Sequence, residues 1–395
     1  MAMLKQIVGI SWLNLRNVPQ RLGSSLVIVV GLAGVVGVLV AMLAMAEGFR
    51  ATLQSTGAPD QALVLREGAN AELSSGLSRE NADLVKRGPG IARDANGEPI
   101  ASAELIVIAD LPKRGTGSLA NAQIRGVQPM AFVLRPEVRI TAGRMLEPGP
   151  REMIVGRGAA SQFEGLEVGD TVAFRDSDWT VVGHFEADGS AFESELWADA
   201  EVVQSAYRRN GFQSVSARLE NPEAMPALRE GLAADPRLNV KVQSQQDYYA
   251  EQSKPLATLI TVVGYAVGVI MAIGAVFGAL NTMYAAIATR QREIATLRAI
   301  GFRGLPVVVS VMLEALLLAL LGGVLGALIA WLLFNGYTVS TLNGASFSQV
   351  AFDFRVTPAL MLHGLLWALA IGLFGGLLPA WRAARMPVTT ALRQL

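Results

Sequence analysis

The sequence predicts an integral membrane α-helical protein with four transmembrane helices and a large α+β extracytoplasmic domain inserted between helices 1 and 2. Three observations carry this prediction. Four long apolar runs occur, one near the amino terminus and three after residue 255. Of the 395 residues, 52% are hydrophobic and the mean hydropathy is positive, too apolar for an ordinary soluble enzyme. The formal charge is zero but unevenly spread. Residues 47–255 hold 22 Lys/Arg against 30 Asp/Glu, which leaves 11 basic and 3 acidic residues for the rest. An acidic block between basic, apolar flanks is what charge-sided membrane insertion produces.

The chain opens with residues 1–23, where Lys5, Arg16 and Arg21 accompany an apolar side of Ile7, Ile10, Trp12, Leu13 and Leu15. This pattern predicts a cytoplasmic interfacial helix. Residues 24–46 are 23 uncharged residues, enough for a first span. Ala44-Met45-Ala46 imitates a signal-peptidase site, but the apolar run is longer than a cleaved signal uses, so it reads as an uncleaved anchor.

Residues 47–255 form the exported domain. Strands are expected at 61–68, 101–111 and 120–127, then in the stretches REMIVG, DTVAFRD and WTVVGHFEA, and again at FQSVSARLE and LNVKVQS. Helices are expected at 77–88, 199–209 and PEAMPALREGLA. The two ends make an α+β frame, with a β-rich insert at about 101–198. Glu186, Asp188, Glu193 and Glu195 read as a solvated turn, with cation binding as the alternative. His184 reads as a strand histidine. No nucleophile–base set or metal spacing stands out in this domain, which argues against a membrane-anchored enzyme. With no cysteine, disulfides and thiolate chemistry are excluded.

A second span is expected at 256–288, within an uncharged run long enough to continue outward as a stalk. Residues 289–304, TRQREIATLRAIGFRG, then form a short amphipathic helix. Ile294, Leu297 and Phe302 share an apolar stripe ringed by Arg290, Arg292, Glu293 and Arg298, and Gly301 provides the stop. Such a helix is either a topology anchor or a lever on which a partner pushes. Its stripe suits a groove in a soluble partner, and its arginines suit an acidic rim. The third span is 306–334, followed by a short extracytoplasmic loop at 335–357. The fourth span is 358–380, and 381–395 is a cytoplasmic tail. Glu314 is the acid inside the third span. It reads as a structural polar contact to Asn281 at matched depth, with proton coupling as the alternative. Glycines at helical spacing in all four spans read as packing devices first and as a dimer seam second.

The ordered set resembles the MacB/FtsX-like ABC transporter permeases of the mechanotransmission (type VII) class, over nearly the whole chain. The likeness rests on WLNLRNVPQR before the first span, REIATLRAIGF between the second and third, and PAWRAARMPVTTALRQL at the exit. Within the exported domain it rests on RITAGRMLEPGPREMIVG, LEVGDTVAF and WTVVGHFEA. A fused nucleotide-binding domain is not expected, because the P-loop pattern G-x-x-x-x-G-K-[ST] does not occur.

The resemblance implies a non-enzymatic permease subunit in the bacterial inner membrane, with both termini cytoplasmic. It binds no cofactor itself; ATP and Mg²⁺ belong to a separate ABC ATPase subunit that docks on residues 289–304. A second permease copy is implied, as a homodimer or with a paralogue. A periplasmic adaptor or outer-membrane partner and membrane lipid complete the expected partners, and nucleic acid is not among them. The implied work is export or extraction of an efflux, lipoprotein or lipid-type cargo. The alternative is transmembrane signalling to a periplasmic partner such as a cell-wall hydrolase.

The side of each loop follows from the Lys/Arg count, and the cysteine-free background makes it directly testable. Single cysteines at Ser118 or Ser205 are expected to react with a membrane-impermeant maleimide in intact spheroplasts, and one at Thr296 is not. Labelling of Thr296 from outside would reverse the predicted orientation.

Overall fold

The computed structural model describes residues 22–300, 303–344 and 346–385, which fall into two compact units. The expected interfacial helix lies almost wholly outside the described residues. A mixed unit comprises Gly48–Ala257 and Thr338–Asp353, and a helical unit comprises the remainder.

Helix α1 (Leu22–Gln54) outlasts its apolar run. Its last turns stay helical because Phe49 and Leu53 are buried in the mixed unit. Gly57, at φ +84°, then turns the chain where a side chain would strike Gln245. There follow β1 (Gln61–Arg66), β2 (Leu77–Ser78), α2 (Arg79–Lys86), β3 (Ala101–Pro112), β4 (Leu119–Val127) and α3 (Met130–Leu134). Next come β5 (Arg139–Gly143), β6 (Glu152–Gly156), α4 (Arg157–Gln162), β7 (Thr171–Phe174), β8 (Ser177–Glu186) and β9 (Glu195–Asp199). The segment ends with α5 (Ala200–Tyr207), β10 (Gly211–Phe212), β11 (Ser214–Arg218), α6 (Met225–Ala233) and β12 (Val240–Ser244). The Ser78 hydroxyl caps α2 and the Asp199 carboxylate caps α5, each accepting from a main-chain N–H of the first turn.

Ten strands form one sheet in the order β12-β1-β11-β3-β4-β9-β6-β8-β5, with β7 also on β8. Pairs β4–β9 and β6–β8 are parallel and the others antiparallel. Strand β3 joins the two halves. Its residues 101–104 pair with β11, and 105–112 pair with β4. Each half has its own apolar core: Val64, Val85, Val215 and Leu228 on one side, and Ile124, Val155, Trp179 and Leu196 on the other.

The carboxyl-terminal part contains α7 (Gln245–Thr289), α8 (Gln291–Ala299), α9 (Gly304–Phe334), β13 (Thr338–Asn343), β14 (Ser348–Asp353) and α10 (Pro358–Arg385). Helices α1, α7, α9 and α10 are long and apolar enough to cross a membrane. Helix α7 begins earlier than the expected span, because Tyr248 and Tyr249 are buried in the mixed unit. Pro255 sits inside α7 without ending it.

The segment 335–357, expected to be a polar loop, instead contains the antiparallel hairpin β13–β14. It belongs to the mixed unit because Val350, Ala351 and Phe352 are buried there. Phe352 meets Phe49 edge-on at 5.4 Å, and the Ala351 N–H donates to Ser194 Oγ at 2.8 Å.

In the helical unit, glycines set how closely the helices approach. A Cβ on Gly326 would strike the Ala33 main chain, and one on Gly322 would lie 2.8 Å from the Val29 carbonyl. Gly372 and Gly376 of α10 similarly receive Ala319 and Ala315 of α9. Gly274 of α7 faces open space. Gly326→Ala is therefore expected to destabilise the unit by about 1–3 kcal/mol through overpacking, and Gly274→Ala to be near neutral. Thermal unfolding in detergent compares the two.

Candidate coupling site

Arg290 stands between α7 and α8. Its backbone (φ −106°, ψ 8°) leaves the helical region, so the chain turns there. The Arg290 N–H still donates to the Ile287 carbonyl, and the Ile294 N–H donates to the Arg290 carbonyl. Met283, Ile287, Arg290 and Ile294 are all buried, a run of three to four residues that marks one inward face. Met283, Ile287 and Ile294 pack there with Val307 and Val311 of α9.

The Arg290 side chain is only 5% exposed, and its Nη1 donates to Glu314 Oε2 at 2.8 Å. Glu293 is a second, looser partner at 3.9 Å. Among the described residues, Nε and Nη2 find no hydrogen-bond partner. A buried pair of this kind fixes geometry more than it adds net stability, since both ions lose their hydration.

Two sequence expectations are corrected here. Glu314 pairs with Arg290, not with Asn281. Asn281 is exposed on α7, because two residues from Met283 is about 200° round a helix. The Ile294 and Arg290 side chains, read from the sequence as facing outward, are buried within this chain. A nine-residue helix tethered between two long ones covers its apolar face against them. Arg292, Thr296, Ala299 and Ile300 make up the accessible side, and Ile300 is 71% exposed. Glu293 and Arg298 are half-buried. The Leu297 side chain, Gly301 and Phe302 lie outside the described set.

The mixed unit contains a second charge cluster, which the sequence did not disclose. Arg125 of β4 is fully buried. Its Nη1 donates to Glu72 Oε1 at 2.9 Å and Glu104 Oε2 at 2.7 Å, and its Nε donates to Glu195 Oε2 at 2.7 Å. Nη2 donates to Tyr249 Oη at 3.2 Å. Arg135 Nη1 donates to Glu104 Oε1 at 2.6 Å, and Trp197 Nε1 donates to Glu195 Oε2 at 2.8 Å.

Burial raises the Glu195 carboxyl despite Arg125. Burial also opposes the charge on Glu104, but Arg135 and Arg125 together hold that carboxyl below its usual range. Burial pushes the Tyr248 and Tyr249 hydroxyls up, so both stay neutral. The solvated-turn reading of Glu193 and Glu195 is thus corrected. Glu195 belongs to this cluster, and buried Glu193 accepts the Ala187 and Gly189 N–H groups at 2.8 Å each. The adjoining cavity, about 30 Å³, has room for water.

In both clusters, charged groups hold helices and strands in place. Among the described residues, four helices are long and apolar enough to cross a membrane, as in an integral membrane protein. The family follows from the sequence: residues 25–235 match the MacB-like periplasmic core domain and residues 258–388 the FtsX-like permease C-terminal. The chain belongs to this family of ABC transporter permeases.

The macrolide export ATP-binding/permease protein MacB of Pasteurella multocida is 25% identical over 73% of this chain and 45% of its own length. The lipoprotein-releasing system transmembrane protein LolC of Xylella fastidiosa (strain Temecula1) is 24% identical over 93% of each. The periplasmic region of MacB from Actinobacillus actinomycetemcomitans aligns at 13% identity over 49% of this chain and 93% of that one, with a TM-score of 0.36. The chain spans about half the length of the first curated relatives it matches, the permease YknZ of Bacillus subtilis among them.

If the Arg290–Glu314 pair holds the junction, removing one partner strands the other. Arg290→Ala is expected to cost about 3–5 kcal/mol, while Arg290→Met combined with Glu314→Leu recovers most of the loss. Thermal unfolding of the single and double variants checks this. A double-variant loss equal to the sum of the two single losses would show that the pair is not coupled.

Proposed function

We propose that this chain is the permease subunit of an inner-membrane ABC transporter and works by moving its mixed unit outside the membrane. A separate ATPase subunit, carrying ATP and Mg²⁺, docks from the cytoplasm on α8. Nucleotide-driven closure of the ATPases displaces α8, and the displacement passes along α7. A second permease copy completes the machine. Its work is export or extraction of a cargo of the efflux or lipoprotein type, as the names of the MacB and LolC relatives suggest.

One observation carries the reading. Helix α7 is unbroken from Gln245 in the mixed unit to Thr289 in the helical unit, and the next residue is fastened to α9 by a buried ion pair. A helix held so closely at the junction transmits a push that a flexible loop would absorb. The positive-inside count supports a cytoplasmic α8.

The docking face consists of the accessible residues of α8 and its end. Ile300→Asp is expected to weaken ATPase association by about tenfold or more, because the apolar contact is replaced by a charge that must be buried unpaired. Thr296→Ala should have little effect. Co-purification of the ATPase with each variant, together with ATP turnover, gives the measurement. Full retention of the ATPase by Ile300→Asp would refute docking on this face.

A further inference from the structure

Tyr248 and Tyr249 lie in the first turns of α7 and are buried at the edge of the Arg125 cluster. The Glu72 N–H donates to Tyr248 Oη at 2.8 Å, and Arg125 donates to Tyr249 Oη at 3.2 Å. The two rings meet each other edge-on at 5.1 Å, and Tyr249 meets Phe192 at 5.8 Å. Phenylalanine would fill the same space. A hydroxyl buried in an ionic core is costly unless it is used, and both of these are used.

The remaining donors of Arg125 reach three other parts of the mixed unit: the turn at Glu72, strand β3 at Glu104 and strand β9 at Glu195. One guanidinium thus ties α7 to the centre of the sheet. The tie falls just before Pro255, which lacks the N–H for a main-chain helix bond. The turns ahead of such a residue gain most from being held by side chains.

We infer that Tyr248 and Tyr249 are positioning residues that clamp the amino-terminal end of α7 to Arg125, so that displacement of α7 reaches β3, β4 and β9. This deepens the proposed function and rests on it for the source of the displacement. The clamp itself is a property of this chain alone. Without it, α7 slips against the sheet and ATP turnover no longer moves the mixed unit.

The test uses the full chain in nanodiscs with its co-purified ATPase, comparing the wild type with a Tyr248→Phe/Tyr249→Phe variant by hydrogen–deuterium exchange. Without nucleotide, amides of 245–254 in the variant are expected to exchange roughly tenfold faster or more, as the loss of a buried hydrogen bond implies. Exchange in β3, β4, β9 and α8 is expected to stay as in the wild type. With ATP and orthovanadate, the wild type is expected to change exchange across 61–244, while the variant hydrolyses ATP without that change.

A variant that shows the full nucleotide response, or unaltered exchange at 245–254, overturns the clamp. If the wild type shows no nucleotide response, the proposed function fails, and the nucleotide-free comparison still decides the clamp. Should the double variant fold poorly, Tyr249→Phe alone leaves Arg125 its three carboxylates and is read in the same way.

Discussion

A charge removed from water has to find its counter-charge within the protein, and this constraint shapes both units. Arg125 has no solvent to turn to, so three carboxylates and a phenol from distant parts of the chain converge on it. Leaving such an ion unpaired costs several kcal/mol, so compact alternatives that separate these groups are strongly disfavoured. The cluster therefore specifies which strands meet. Strand β3 brings Glu104, β9 brings Glu195, and the turn after β1 brings Glu72. Their apolar neighbours make the sheet stable, and the charges make its arrangement unique.

The helical unit meets the same constraint with fewer charges. There the packing surface is made of small residues: Gly322 and Gly326 admit α1, and Gly372 and Gly376 of α10 admit α9. Against this background Glu314 would be costly alone, and Arg290 reaches it from the turn between α7 and α8.

Much of this was legible in the sequence because it depends on local pattern. The four apolar runs mark the long helices. Alternation in WTVVGHFEA marks β8, and the Ser78 and Asp199 caps mark helix starts. What stayed hidden depends on three-dimensional proximity. Arg125, Glu72, Glu104 and Glu195 are ordinary surface residue types in one dimension, and their burial follows from strand pairings over long separations. Glu195 was misread because acidic residues around a glycine usually mark a solvated turn. The hairpin β13–β14 did leave a trace. Asn343-Gly344 at the end of β13 is a turn signal, outweighed by the polarity of its flanks. Asn281 was matched to Glu314 by depth alone, and depth ignores the angle around the helix axis.

That angle also separates the two duties of α8. The face carrying Ile294 and Ala295 is buried, while Arg292, Thr296, Ala299 and Ile300 stand on the other side. A residue that holds the elbow cannot also be gripped from outside, since gripping it would require opening the helical unit. A short helix can serve both purposes only if the two sets alternate with the helical period, as they do here. Of the apolar stripe read from the sequence, Ile294 is spent on the chain's own fold, and among the described residues the other side of α8 carries Ile300 beside polar and small residues. On the proposed reading, the buried Arg290–Glu314 pair, nearly three helical turns from Ile300, ties that exposed side to the elbow.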